Sequence, residues 1–301
     1  MEIIKPVQSH LWWNKYSECA KNGAIVQWLG SLKNCRYKLV LPHGDGLRAD
    51  NARDYLSLIG QNSDAIVGVL VSQQPHPVTN KILYLPLDDE TFQHGLKYII
   101  SRDAGDRADL QWEQRKPVAF WRGVPSVFRI PFVKQCYGCP NTDLLGVKTP
   151  WGNTEIGIQY FDPRYNGYDG RPVPFREHFE YKYLLIMDGF MVASNLQWVF
   201  GSGAVPILIT HPDNEFWFKQ YIQPDVNCVV VDPTDHNAGD ILKAKIQYLV
   251  NHDDEAKKIA QQARLLADEI FSSRFQKSYL LKSLADFGMF TGDPNPAINP
   301  K

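Results

Sequence analysis

The chain has 301 residues, 44% of them hydrophobic and 22% charged, so it can bury the cores of two ordinary domains and is not disordered. Its formal net charge of −1 shows no excess of positive charge, which argues against nucleic acid as a partner. No apolar run reaches the roughly 18–20 residues that a membrane-spanning helix needs, so no membrane span is expected.

The two ends and the cysteines indicate a reducing compartment. The first residues, MEIIKPVQSH, lack an apolar signal core, and the final PNPAINPK is not a retention signal. The five cysteines are few, odd in number and scattered, which does not suit a disulfide scaffold. We therefore expect a soluble, cytoplasmic protein.

Strands and helices alternate over the first hundred residues. Apolar runs predict strands within 36–46, 64–72 and 81–87. A capping Asp, apolar residues at helical spacing and a terminal Gly predict a helix over 50–60. This alternation indicates α/β architecture. The polar stretch 101–116 that follows is the predicted domain junction.

A second set of elements follows the junction. Strands are predicted over 117–123, 204–210 and 227–233, and an amphipathic helix with acidic residues at its start over 253–271. The chain is therefore predicted to consist of an N-terminal domain, a second domain, and a C-terminal helix and tail that cross back to the first domain, with the boundaries 1–112, 113–275 and 276–301.

An arginine stands where an α/β sheet binds ligands. Arg122 and Gly123 end the predicted strand AFWRG, and the carboxyl end of a parallel strand faces the ligand crevice. The planar guanidinium suits phosphate oxygens, and a surface salt bridge is the alternative role. Arg129 falls in the first turns of a helix that we predict after the loop VPSVF. It either faces the same site or has only a structural role.

The segment HFEYKYLLIMDG (178–189) contains polar side chains in an apolar run. Lys182 needs a partner there, and Asp188 is the candidate unless it holds the turn before Gly189. His178 would lie beside Lys182 if the segment were helical, and a hydrogen-bonded structural histidine is the alternative.

A helix start follows. Ala193, Ser194 and Asn195 precede the apolar LQWVF, and the unpaired N–H groups of a helix start attract anions. Ser or Asn also caps the helix, and capping is compatible with phosphate binding.

Carboxylates in the first half are candidates for acid–base chemistry. Asp45 lies between two glycines after a strand, next to His43, and could accept a proton from a hydroxyl; a turn Asp is the alternative. Asp88 and Asp89 form a second acidic pair at a strand end.

Familiar cofactor and metal motifs are missing from the sequence. It has no GxGxxG after a first strand, no Walker loop, no GxSxG and no clear DxD pair for a metal–diphosphate complex. Cys136 and Cys139 form a lone CxxC, which indicates a structural pair, with a zinc or redox site as the alternative.

Taken in order, four stretches resemble glycosyltransferase family 90, the family of the protein O-glucosyltransferases: AFWRG, HFEYKYLLIMDG, ASNLQWVFGSGAV and EFWFKQYIQPDVNCVVVD. The resemblance is good over 117–271 and weak over the first hundred residues. It implies an α/β, GT-B-like fold with two Rossmann-type domains facing an interdomain cleft. It also implies a nucleotide-sugar donor, usually UDP-linked, inversion at the anomeric carbon, and no essential metal or other cofactor.

The resemblance also implies roles for residues. Arg122 resembles the family's diphosphate-binding Arg, whereas Asn195 stands where animal and fungal members carry an Arg. Asp45 is the match for the catalytic base in the N-terminal, acceptor-side domain, together with His43, Asp88 and Asp89 as acceptor-side residues. The donor-binding set in the second domain is Arg122, Gly123, Arg129, Lys182, Asp188, Gly189, Ala193, Ser194 and Asn195.

The short chain resembles viral and bacterial members. This resemblance implies transfer of xylose from UDP-xylose to a glycan or glycoprotein acceptor such as a capsid or surface glycan, in the host cytoplasm if the protein is viral. The alternatives are a UDP-glucose-dependent glucosyltransferase and a non-catalytic nucleotide-sugar-binding protein of the same fold.

Overall fold

The computed structural model describes residues 2–4, 23–33, 38–40, 46–47, 65–69, 71–73, 81–124, 126, 128–147, 169–170, 173–189, 192–193 and 195–291. Contacts divide the chain into two compact units. The first comprises Met1–Leu96, Asp213–Gln220 and Glu269–Lys301, and the second comprises Lys97–Pro212 and Tyr221–Asp268.

The described residues form strands and helices that we number in chain order. The strands are β1 (Glu2–Ile4), β2 (Lys38–Val40), β3 (Gly46–Leu47), β4 (Ala65–Val69), β5 (Val71–Gln73), β6 (Ile82–Tyr84), β7 (Lys116–Gly123), β8 (Thr142–Val147), β9 (Asp169–Gly170), β10 (Tyr181–Met187), β11 (Val205–Ile209), β12 (Asn214–Phe216) and β13 (Val229–Val231). The α-helices are α1 (Gly23–Ser31), α2 (Asp89–His94), α3 (Leu96–Ala104), α4 (Ile130–Cys136), α5 (Leu196–Gly201), α6 (Ala238–Asn251), α7 (Asp253–Ile270) and α8 (Ser273–Asp286).

The strands described in the first unit form two sheets. A parallel sheet has the order β1-β2-β4-β6, and a smaller sheet has the order β12-β5-β3, with β12 antiparallel to β5. Apolar side chains of α1, α2, β4, β6 and α8 share one core that includes Ile25, Ile66, Phe92 and Leu280. The single strand predicted over 64–72 is replaced in the structure by two short strands, β4 and β5, which belong to different sheets.

The described residues of the second unit include a six-stranded sheet in which every pair is parallel, in the order β13-β11-β10-β7-β8-β9. Counted along the chain, this order is that of the dinucleotide-binding folds, with the first and fourth strands side by side in the middle. These two strands are β7 and β10, where the order reverses. The reversal opens a crevice at the carboxyl ends of the strands, because neighbouring connections leave to opposite faces there.

Burial explains why the sequences of the central strands β7 and β10 are largely apolar. Six of the seven residues of β10 are buried, and the middle of β7 is buried as well. A central parallel strand is covered on both faces, so its sequence is a near-continuous apolar run. Helices α4, α6 and α7 cover one face through a core that includes Val133, Leu242 and Ile259.

Several predicted elements are confirmed. The strands β7, β11 and β13 and the helix α7 lie within or one residue beside their predicted ranges, and Asp253, Asp254 and Glu255 occupy the first turn of α7. The predicted helix over 50–60 lies outside the described residues. No helix in the described part of the chain combines the length and apolar character required to cross a bilayer.

The predicted junction over 101–116 is compact. It forms the end of α3 and two 3-10 turns, Gly105–Asp109 and Trp112–Gln114, and both Trp112 and Arg115 are buried. The contact division begins the second unit at Lys97, ahead of the boundary that the sequence places at 112–113.

Candidate functional site

A pocket of about 240 Å³ lies where the strand order of the second unit reverses. Five of the predicted donor-binding residues line it, namely Arg122, Gly123, Arg129, Ala193 and Asn195. They come from the end of β7, the start of α4 and the segment before α5. The structure thus brings together residues up to 73 positions apart in the chain, at the place where parallel α/β sheets bind ligands.

Arg122 is held rigidly at the pocket. Its Nη1 donates to the carbonyl oxygens of Trp121 (3.0 Å) and Asp143 (2.8 Å), and its Nη2 lies 2.7 Å from Oδ1 of Asp143. The guanidinium carbon is 4.4 Å from the centroid of the Phe120 ring. The buried Nε has no hydrogen-bond partner in the described part of the protein. A buried N–H without a partner is unfavourable, so this group favours an incoming acceptor such as a phosphate oxygen.

Arg129 closes the same pocket from the start of α4. Its Nε donates to the carbonyl oxygens of Met187 (3.0 Å) and Asp188 (3.2 Å), and its Nη1 donates to that of Val124 (3.1 Å). Burial lowers the pKa of Arg129 to about 10, against the raising effect of the Asp188 carboxylate, so it remains a cation at neutral pH. Arg129 therefore joins the ends of β7 and β10 and adds a second positive charge to the pocket.

Asp188 organises the turn after β10. Its carboxylate accepts hydrogen bonds from Thr210 Oγ1 (2.5 Å), the His211 N–H (3.2 Å) and the Ala193 N–H (3.3 Å). Of the two roles that the sequence allowed, the structure shows Asp188 holding the turn. The absent side chain of Gly189 matters because a Cβ there would stand 3.3 Å from Nη2 of Arg129.

The helix start differs from the predicted cap. Asn195 is the N-cap residue of α5, yet its side chain makes no capping bond; its Nδ2 donates to the carbonyl oxygen of Leu185 at 3.1 Å. The amide therefore holds α5 against β10. Ala193 is buried beside the pocket. Ser194 lies outside the described residues.

Lys182 is placed away from the pocket, and its predicted pairing with Asp188 is wrong. It lies on β10, not on a helix, so it does not stack on His178. Its Nζ is 2.7 Å from Oδ1 of Asp253 and 4.8 Å from the centroid of the Trp112 ring. Trp112 Nε1 donates to the other carboxylate oxygen at 2.9 Å. This cluster ties β10 to the start of α7 and does not line the ligand pocket.

The acidic pair of the first unit caps helices. Asp88 is the N-cap of α2 and accepts from the Thr91 N–H at 2.7 Å. Burial raises the pKa of Asp88 against the lowering effect of that bond. Asp89 accepts from the N–H groups of Ala24 and Ile25, each at 3.0 Å. These contacts occupy both carboxylates, and an acceptor-side role for either stays a prediction. His43 and Asp45 lie outside the described residues.

The CxxC pair has the features of a structural element. Cys136 and Cys139 are both free thiols, Cys136 is buried, and burial raises its pKa to about 12. A reactive or metal-binding cysteine needs a lowered pKa. Within the described ranges, no cluster of three or more His, Cys, Asp or Glu side chains has the geometry to hold a metal ion.

Asp143 and Trp198, which shape the site in different ways, were not recognised from the sequence. Asp143 anchors Arg122 from the neighbouring strand β8, and only the strand register brings them together. Trp198 lines the pocket from α5, three residues after Asn195. Its helical spacing from Asn195 is a signal that the sequence did contain.

Comparison with known proteins decides the family. The family model described as glycosyl transferase family 90 matches residues 101–291, well over half of the chain. The chain belongs to glycosyl transferase family 90. Protein O-glucosyltransferase 2 of Danio rerio is 31% identical over an alignment of 169 residues that covers 53% of this chain and 31% of the Danio rerio protein. This family 90 chain thus spans under a third of the length of that curated relative.

Solved structures establish the fold class of this family 90 chain. Anabaena Alr3699/HepE in complex with UDP gives a TM-score of 0.55 at 13% identity, covering 94% of this chain and 78% of that one. The same Anabaena protein in complex with UDP and glucose gives a TM-score of 0.52 at 12% identity, covering 87% and 74%. These neighbours are GT-B glycosyltransferases, so the predicted α/β, GT-B-like fold class is confirmed.

Proposed function

We propose that this protein is an inverting glycosyltransferase that binds a UDP-sugar in the pocket of its second unit and transfers the sugar to a hydroxyl group of a glycan acceptor. One observation carries the proposal. Two guanidinium groups, Arg122 and Arg129, line a single pocket at the strand-order reversal of a parallel sheet. Membership of family 90 and likeness to an Anabaena protein solved with UDP support it.

The pocket suits a diphosphate. Such a group carries two negative charges when it links a nucleoside to a sugar, and the two arginines supply two positive charges, one of which Arg122 shares with the Asp143 carboxylate. The buried Nε of Arg122, a residue that lines the pocket, has no hydrogen-bond partner in the described part of the protein. A drug-sized ligand fills about 300–1,000 Å³, so a pocket of about 240 Å³ holds part of a nucleotide sugar, and we assign that part to the diphosphate.

The arginines also suit the chemistry. As the bond between the anomeric carbon and the diphosphate oxygen breaks, its electron pair goes to that oxygen and negative charge grows there. Donors that are already fixed in position stabilise this charge without reorganising. Arg122 meets that condition because Asp143 and two carbonyl oxygens hold it.

The remaining steps rest on the family resemblance. We propose that Asp45 takes the proton of the acceptor hydroxyl, whose oxygen attacks the anomeric carbon from the face opposite the diphosphate. One bond forms as the other breaks, so the configuration inverts. We also propose that the reaction needs no metal, because the arginines supply the positive charge.

The sugar has two candidates. Resemblance to the short viral members supports xylose, with a capsid or surface glycan as the acceptor. The Danio rerio relative is named a glucosyltransferase, and one Anabaena complex contains glucose, which supports glucose as the alternative. Transfer assays with UDP-xylose and UDP-glucose, each with a panel of glycan acceptors, decide between them.

The test of the donor site is UDP binding by titration calorimetry. We expect Arg122→Ala to weaken UDP binding at least tenfold, because it removes a charged donor and leaves Asp143 unpaired. Arg102→Ala is the matched control, since Arg102 is an exposed arginine ion-paired with Asp103. An Arg122→Ala protein that binds UDP as tightly as the control would contradict the proposed site.

A non-catalytic binding protein is the second candidate. The observation that favours it is Asn195, a neutral residue at the position where animal and fungal members carry an Arg, whose Nδ2 donates to the carbonyl oxygen of Leu185. Asp45→Asn separates the two functions. A transferase should lose most of its transfer activity on this change and keep its UDP affinity, whereas a binding protein shows no turnover before or after it.

A further inference from the structure

One pocket residue has no part in the proposed chemistry. His178 lies on the 3-10 turn Phe175–Glu180 before β10, and its ring lines the pocket together with Arg122. Its ring centroid is 5.2 Å from that of Phe120 and 5.3 Å from that of Trp198, with both pairs edge-to-face. These contacts hold the imidazole between β7 and α5 in one orientation.

The backbone selects the tautomer of this histidine. Nδ1 lies 3.2 Å from the carbonyl oxygen of Phe175 and 3.3 Å from that of Pro174. A carbonyl oxygen only accepts, so Nδ1 must carry the proton, and in the neutral ring Nε2 is then an acceptor. Nε2 makes no hydrogen bond within the described part of the chain and is not among its fully buried polar atoms.

The surroundings keep the ring neutral. Burial lowers the pKa of His178, and the nearby Arg122 lowers it further, while the two carbonyl contacts and Glu177 act in the opposite direction. Helix α5 contributes Trp198 and no titratable group, because its sequence is LQWVFG. At neutral pH the pocket is therefore lined by two guanidinium groups and by an uncharged imidazole whose Nε2 is an acceptor.

We propose that Nε2 of His178 accepts a hydrogen bond from an O–H or N–H group of the nucleotide-sugar donor. This inference rests on the proposed function. A lone pair repels a phosphate oxygen, so the ligand atom beside Nε2 must carry a hydrogen. The two arginines hold the anionic part of the donor, and His178 reads a neutral polar group next to it. His178 is thus a donor-binding residue of this site.

The test is the affinity for UDP-glucose and UDP-xylose from pH 5 to pH 8. Each phosphate of these compounds has one ester bond, one anhydride bond and one strongly acidic oxygen that stays ionised over this range, so the pH dependence comes from the protein. We expect the wild-type affinity to be level at pH 7–8 and to fall towards pH 5, because protonation turns Nε2 from an acceptor into a donor.

Two variants separate the hydrogen bond from packing. His178→Leu removes the acceptor, so we expect about tenfold weaker binding at pH 7.5 and no remaining acid-side loss. His178→Gln offers an amide oxygen that does not titrate, so we expect tighter binding than in His178→Leu and a level profile. His236→Gln, the same change at an exposed histidine, should behave like the wild type.

The outcomes distinguish the two proposals. Binding that tightens as the pH falls would show that His178 acts as a cation and would overturn this inference. Equal affinity of His178→Leu and the wild type would overturn it as well, with the donor site intact. If the folded wild type binds neither UDP-sugar nor UDP at any pH, the proposed function itself fails.

Discussion

Replacing Asp253 should destabilise the second unit, because Lys182 depends on it. The Lys182 side chain is 10% exposed, and the charged partner seen in the structure is Asp253, whose Oδ1 lies 2.7 Å from Nζ. Trp112 Nε1 donates to the other oxygen of the same carboxylate. Asp253→Ala therefore leaves a largely buried ammonium without its countercharge and removes the acceptor of a buried indole N–H.

The magnitude follows from the exposure of each partner. Removing one partner of a fully buried ion pair costs about 3–5 kcal/mol, and an exposed pair contributes about 0–1 kcal/mol. Here Lys182 is buried but the Asp253 side chain is 47% exposed, so water can reach the vacated position. We expect a loss of about 2 kcal/mol, which corresponds to a decrease of about 4–8 °C in Tm for a unit of this size.

The assay is thermal unfolding with Lys182→Met/Asp253→Ala as the matched variant. Methionine fills the space of the lysine stem without a charge, so the double variant should be more stable than Asp253→Ala alone. Equal stability of Asp253→Ala and the wild type at pH 7 would refute the dependence of Lys182 on this carboxylate.

The same pair predicts a pH dependence. Burial alone would raise the pKa of Asp253, but the hydrogen bonds from Lys182 and Trp112 outweigh it and hold that pKa below its ordinary value. A carboxyl group whose folded pKa is depressed contributes stability above its unfolded pKa and loses it as the pH falls through the folded pKa. The difference between the wild type and Asp253→Ala should therefore be full at pH 7 and shrink below about pH 4.

Two further changes test contacts elsewhere. Asp89→Ala should destabilise the first unit by about 1–2 kcal/mol, because it uncaps two N–H groups of α1, and hydrogen exchange should quicken at Ala24 and Ile25; unchanged exchange there would contradict the cap. Gly203→Ala should cost more than Gly105→Ala in urea unfolding. Both glycines have positive φ, but only at Gly203 would the new Cβ meet the buried Arg115, 3.0 Å from its Nη2, so equal losses would refute this contact.

Elements of the second half could be predicted from the sequence because their signals are local. The apolar run of β11 reflects burial on both faces of a parallel sheet, and the acidic start of α7 reflects the helix dipole. The position of Arg122 at a strand end followed from the same pattern. The residues next to one another in the sequence are enough to predict such a strand or helix, because its signal does not depend on which distant residues it contacts.

Only the tertiary structure shows which polar side chains pair with one another. Lys182 is paired across 71 residues with Asp253, although Asp188 is nearer in the chain, and Asp89 caps a helix that begins over 60 residues before it. The order of strands decides which loops meet at the pocket, and strand register places Asp143 beside Arg122. The spacing of apolar residues in the sequence predicts which side chains are buried. Which side chains contact one another is determined by the packing of elements that are distant in the chain.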